Sequence, residues 1–125
     1  MLNTPTKEQF NRLIPVNLYG GEHTPLKEKI IYAHFFIASA DWFCCEWDKN
    51  DLLFGFCCLG DLQNAEWGVV SFNELKSLKV DWMEVDFDLY WQIRPASQVD
   101  LIRQAHNWLP PLPVNEVSTR IETTT

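Results

Sequence analysis

The sequence predicts an α+β domain built on a largely antiparallel, twisted sheet of about five strands, with two main helices and one short helix. Three observations lead there. Across residues 81–91 apolar and polar side chains alternate without a break, the period-two mark of a strand with one buried and one wet face. Residues 41–47 and 52–59 are two further apolar stretches joined only by the polar Asp48-Lys49-Asn50-Asp51, as in a hairpin. Thr6 with Gln9, and Ser71 with Glu74, have the spacing of capping boxes that open helices.

Taken in order, Phe10, Leu13 and Ile14 recur at helical spacing after Thr6 until Pro15 ends the first helix. Residues 17–25, with Gly20-Gly21, read as a loop. Residues 30–38 are almost continuously apolar, which predicts a central strand covered on both faces. The hairpin comes next, then a turn over 60–64, a fourth strand over 66–71 and a short helix over 75–78. After the alternating strand, Arg94-Pro95 breaks the pattern, and Ser97 is placed to cap a second main helix with Asp100 at its third position. Leu101, Ile102, Ala105 and Trp108 form that helix's apolar stripe. Pro110, Pro111 and Pro113 impose an extended segment. The expected organisation is one domain over residues 1–113 and a disordered tail over 114–125, which has too few apolar residues to fold.

A chain of 125 residues is the usual size for one core, and 46% hydrophobic with 14% aromatic content excludes general disorder. A net charge of -7, with only 10 scattered basic residues, excludes direct non-specific nucleic-acid binding and favours a basic protein surface as partner. The same charge opposes binding to anionic membranes. No apolar run reaches membrane-spanning length, and Asn3, Thr4 and Thr6 stand where a basic then apolar leader would be, so a cytoplasmic location is expected. Cys44-Cys45 and Cys57-Cys58 are adjacent pairs rather than a spaced disulfide framework, and reduced thiols are expected.

The candidate binding face lies on the alternating strand. Trp82, Glu84, Asp86, Asp88 and Tyr90 share its wet parity, and Met83, Val85, Phe87, Leu89 and Trp91 its buried one. Carboxylates two residues apart on a strand stand about 7 Å apart, close to the spacing of nucleic-acid phosphates. Such a stripe would steer and orient a basic partner, and the two rings would supply contact energy. The expected function is therefore non-catalytic protein binding, in its sharper form inhibition of a nucleic-acid-handling enzyme. The plainer reading of the same stripe is a charged edge that deters sheet-to-sheet aggregation. Two alternatives remain open: a homodimeric structural module joined through Trp82 and Tyr90, and a small enzyme whose pocket uses His34, Glu46 or Cys45. His34, inside the most apolar stretch, reads first as a satisfied core histidine, and His23 and His106 have no marked partner in sequence. Adjacent strand cysteines face opposite ways, so a four-thiolate metal site is not expected and the thiols read as small buried hydrophobes. There is no phosphate loop, dinucleotide fingerprint, nucleophile elbow or spaced Cys/His pattern, and no cofactor is expected.

Ala40-Asp41-Trp42 with Glu46 and Asp48, Phe54-Gly55, the run Trp67-Gly68-Val69-Val70-Ser71-Phe72-Asn73-Glu74-Leu75, and Asp88-Leu89-Tyr90 together resemble a small bacterial family known only as a domain of unknown function, number 2958. The likeness rests on order and spacing and spans about residues 10–95. This chain departs from the family's usual pattern at Asp41, where an amide is expected, and at the paired cysteines, where the family is usually aromatic or aliphatic. The resemblance implies a compact α+β domain often carried on plasmids and other mobile elements. It implies no reaction and carries over no catalytic residue. In that setting an accessory role such as plasmid upkeep or counter-defence is expected by analogy.

Overall fold

Thr6 opens the first helix as its spacing predicts. In the computed structural model, which describes residues 1–109, its side chain accepts from the Gln9 N–H while the Gln9 side chain accepts from the Thr6 N–H. Helix α1 (Lys7–Leu13) then turns its one fully buried residue, Phe10, onto the sheet. The expected proline-rich segment from Pro110 and the tail over 114–125 lie outside the described residues.

The chain continues through β1 (Ile30–Ile31), β2 (Ala33–Ile37), β3 (Ala40–Trp47), β4 (Leu52–Leu59) and β5 (Glu66–Ser71). Helix α2 (Phe72–Ser77) starts directly after its cap, Ser71, whose hydroxyl accepts from the Glu74 N–H. It lies earlier than the expected 75–78, because the capping geometry begins the helix at the residue after the cap and Leu78 already closes it. Then come β6 (Lys79–Val80), β7 (Met83–Glu84), β8 (Asp86–Phe87), β9 (Arg94–Pro95) and α3 (Asp100–His106). Five strands form one open antiparallel sheet in the order β5-β4-β3-β2-β8, and β1·β9 and β6·β7 are separate two-stranded ribbons. The α+β class and the three helices are as the sequence predicts.

Each face of the sheet carries its own core. On one, Phe10 of the first helix, Ile14 just past its end, and Phe72 and Leu75 from α2 pack on Phe35, Trp42, Trp47 and Leu53. Phe10 sits at the centre of this aromatic group, with ring centroids 4.8 Å from Phe72 and 5.1 Å from Trp47. Each such fully buried apolar side chain contributes about 1.5–3 kcal/mol. On the opposite face Ile102 of α3, with Ala96 and Val99, covers Ile31, Phe43, Cys45, Phe56 and Cys58.

Double coverage therefore falls on β3, buried at every position from Trp42 to Trp47, and not on residues 30–38. Those residues divide at Tyr32 into two strands, and β2 alternates, with Phe35 buried and His34 and Phe36 partly exposed. The buried strand residues of the second core come from β1, β3 and β4 and none from β2, so β2 is fully covered on one side alone. Ser97 is not a helix cap. It lies within a 3-10 turn, Ala96–Gln98, and α3 enters from Val99 without a side-chain cap. Burial of Ala96 and Val99 fixes that entry instead, and Asn107 in the left-handed region ends the helix.

The pairing of β3 with β4 is interrupted once. Its register runs Phe43↔Phe56, Cys44↔Gly55, then skips to Glu46↔Phe54 and Trp47↔Leu53, leaving Cys45 as the extra residue of a β-bulge. Trp47 consequently returns to the α1 face while Cys45 and Glu46 both turn to the other. Gly55 permits it: a Cβ there would lie 2.0 Å from the Phe43 carbonyl oxygen. The hairpin beyond is closed by Asp48, whose Oδ1 accepts from the N–H groups of Asn50, Asp51 and Leu52 at 2.8, 2.8 and 2.9 Å.

Candidate functional site

The acidic aromatic segment is present, but it is not the continuous strand the alternation predicts. Asp81 is in the left-handed region (φ 55°), and β7 folds back on β6 with Val80↔Met83 and Lys79↔Glu84. Only Asp86 and Phe87 join the main sheet, opposite Phe36 and Phe35. Residues 88–91 form a turn in which Asp88 Oδ1 accepts from the Tyr90 N–H at 2.9 Å. Parity holds as far as Phe87: Met83, Val85 and Phe87 face the first core. It then fails. Leu89, expected inside, is 61% exposed, and Trp91 turns to the second core, where its indole N–H donates to the Ile31 carbonyl. Both deviations arise from aspartates in local turn geometry, which short-range alternation does not register.

The five predicted contact residues divide into two kinds. Trp82 and Tyr90 are 86% and 91% exposed. The carboxylates between them are engaged within the chain. Glu84 Oε1 lies 2.8 Å from the Met1 ammonium, and that hydrogen bond and charge hold its carboxyl below the usual range. Asp86 accepts from the Asn3 side-chain amide at 2.9 Å, and Asp88 Oδ2 pairs with His34 Nδ1 at 2.9 Å. Trp82, Glu84 and Asp86 border one hollow with Leu2 and Phe36, while Tyr90 stands on the following turn.

His34 is the satisfied histidine that its setting suggests. Its Nε2 meets Asp41 Oδ1 at 2.7 Å and its Nδ1 meets Asp88, and the ring stacks on Phe43 at 4.7 Å and 7°. A neutral imidazole can donate to only one of these carboxylates, whereas the imidazolium donates to both. The arrangement ties β2, β3 and the Tyr90 turn together. It also leaves neither ring nitrogen for Cys45, whose thiol instead donates to the Phe54 carbonyl at 3.4 Å. Burial first, and Glu46 beside it, push the Cys45 thiol up to about 12, so at neutral pH it is not the thiolate a nucleophile requires. His106 is likewise occupied, with its Nδ1 at the Ile102 carbonyl and its Nε2 accepting from the Trp67 indole, and His23 is exposed.

All four cysteines are free, and the sheet separates them as expected. Cys44 and Cys57 join the first core, Cys45 and Cys58 the second. Among the described residues no three His, Cys, Asp or Glu side chains are grouped to hold a metal ion. No described helix is long and apolar enough to cross a membrane.

A second constellation joins Glu46, a residue the sequence singles out, to a lysine it does not. Lys29 and Glu46 are 8% and 3% exposed, and they form the floor of a cleft of about 240 Å³ walled by the loop that carries Gly20 and Gly21. The Glu46 carboxylate accepts from the Tyr19 N–H at 2.6 Å, Lys29 Nζ donates to the Gly21 carbonyl at 2.7 Å, and the two charges stand 3.6 Å apart. The bulge at Cys45 aims Glu46 into this cleft. The legible signal was a glutamate inside the apolar run from Trp42 to Trp47, a position where a charge needs a partner. Nothing near Lys29 in sequence announces it as that partner.

No curated protein and no solved structure matches the chain. A family model does, over residues 7–105, covering the sheet and nearly all of the three helices. The chain belongs to the family described as "Protein of unknown function (DUF2958)".

Proposed function

We propose that this chain is a non-catalytic protein-binding module whose contact surface centres on Trp82 and Tyr90. The observation that carries the reading is their exposure, 86% and 91%, next to Leu89 at 61% and Ile93 at 53%. Folding gains nothing by presenting such large apolar groups to water, and rings of this kind dominate contact energy in protein interfaces. Glu84, Asp86 and Asp88 act in this reading as the scaffold that fixes the rings, and they lend the surface its sign. With a chain charge of -7, the partner is a basic protein surface, in the sharper form that of a nucleic-acid-handling defence enzyme acted on by an accessory factor of a mobile element.

The test compares the chain with a Trp82→Ala/Tyr90→Ala variant in affinity capture from a bacterial lysate at low and moderate salt. A basic protein retained by the parent, lost by the variant and weakened by salt supports the reading. Identical captures from both proteins overturn it.

A further inference from the structure

We propose that the Lys29–Glu46 cleft is a binding site for a small zwitterion of the size and charge arrangement of a free α-amino acid. Two buried opposite charges are normally satisfied by close contact and several hydrogen bonds each, since desolvation otherwise outweighs their attraction. Here they are not. The Nζ–Oε2 separation of 3.6 Å exceeds hydrogen-bond length, Lys29 Nζ makes one hydrogen bond out of three available, and Glu46 Oε2 accepts none within the described residues. Both groups border open space: they line the cleft of about 240 Å³ and also a second hollow of about 410 Å³ bordered by Tyr19 and Phe54.

The lining selects the ligand. An ammonium placed at Glu46 Oε2, with Glu28 on the same wall, and a carboxylate placed at Lys29 Nζ would form an alternating square of charges in which every group has an opposite neighbour. Val16, Ile30 and Tyr32 provide an apolar wall for a side chain. The volume lies below that of sites for drug-sized molecules, which limits the ligand to about amino-acid size. Gly21 keeps the way open: a Cβ there would lie 2.8 Å from Glu46 Oε2 and 3.2 Å from Lys29 Nζ, so a methyl group would occupy the ligand's position.

The full chain is screened with each of the common amino acids at about 10 mM, following backbone amide resonances of Tyr19, Gly21, Thr24 and Glu46 by NMR. The expected result is that at least one amino acid shifts these resonances saturably, while its N-acetyl derivative and its decarboxylated amine bind at least about tenfold more weakly. Gly21→Ala, whose close contacts are the ends of flexible side chains, stays folded and weakens binding by at least about tenfold. If no amino acid moves these resonances, if the blocked derivatives bind as well as the parent compound, or if Gly21→Ala binds unchanged, the proposal fails.

Discussion

Residues 81–91 and the Lys29–Glu46 floor put charge to opposite uses. In the first, the carboxylates are conspicuous in sequence and partly exposed, yet each is tied within the chain, to the amino terminus, to Asn3 or to His34. In the second, both charges are buried and nothing in the sequence pairs them, yet each keeps hydrogen-bonding capacity unused. Visibility in sequence and availability in space are therefore separate properties. Acidic side chains near the surface readily close turns and bridge neighbouring segments, because Asp and Asn compete for local backbone partners.

The contrast is most severely tested at Glu46. Glu46→Ala leaves the Lys29 ammonium buried without its counter-charge, and chemical denaturation should show a loss of about 3–5 kcal/mol. Replacing both partners together, as Lys29→Met with Glu46→Leu, should restore most of that loss. A cost below about 1 kcal/mol for the single change would mean that water already serves the pair, and the contrast would collapse. Asp88→Ala comes next. It removes the acceptor for the Tyr90 N–H and one partner of His34, and should cost about 1–3 kcal/mol while loosening the Tyr90 turn, measurable as faster amide exchange over residues 88–91.

The smallest effect is absent at neutral pH. Burial raises the Cys45 thiol to about 12 and the Cys57 thiol to about 11, whereas the same thiols ionise near the ordinary value of 9.0 in the unfolded chain. A raised folded-state value means that the unfolded chain loses protons first. Stability is thus complete below about pH 8.5 and declines progressively as pH rises toward the folded values. Alkaline denaturation curves of the parent and a Cys45→Ala/Cys57→Ala variant should differ in their pH dependence only above that point. A difference in slope already present at pH 7 would contradict the burial of these thiols.

Much of the fold was legible because local rules and tertiary packing agree. Thr6 with Gln9, the Asp48 turn, the paired strands around it and the cap of α2 at Ser71 all rest on interactions within a few residues. Where the sequence misled, a distant element decided. The apolar run over 30–38 could not reveal that the second core would skip β2, and Ser97 lost its capping role to the burial of Ala96 and Val99. At the binding face, side-chain parity was right through Phe87 and wrong from Leu89 onward, since an aspartate turn took over. The cleft was legible only in half. Glu46 stands out inside its strand, but Lys29 becomes its partner through a fold-back of the chain that no spacing encodes.

The bulge at Cys45 also sets a phase that can be read by counting. Deleting that single residue would let β3 and β4 pair without interruption, because Cys44 and Glu46 already face the adjacent partners Gly55 and Phe54. Every strand would survive, with Trp47 still in the aromatic core and Glu46 still on the face of Lys29. What the bulge changes is the parity counted from Trp42, which shifts by one position beyond Cys45 and so misplaces Glu46 and Trp47 for a reader of the sequence. In related chains, an alignment gap of one residue at this point is compatible with the charged floor wherever the lysine and the glutamate are both retained.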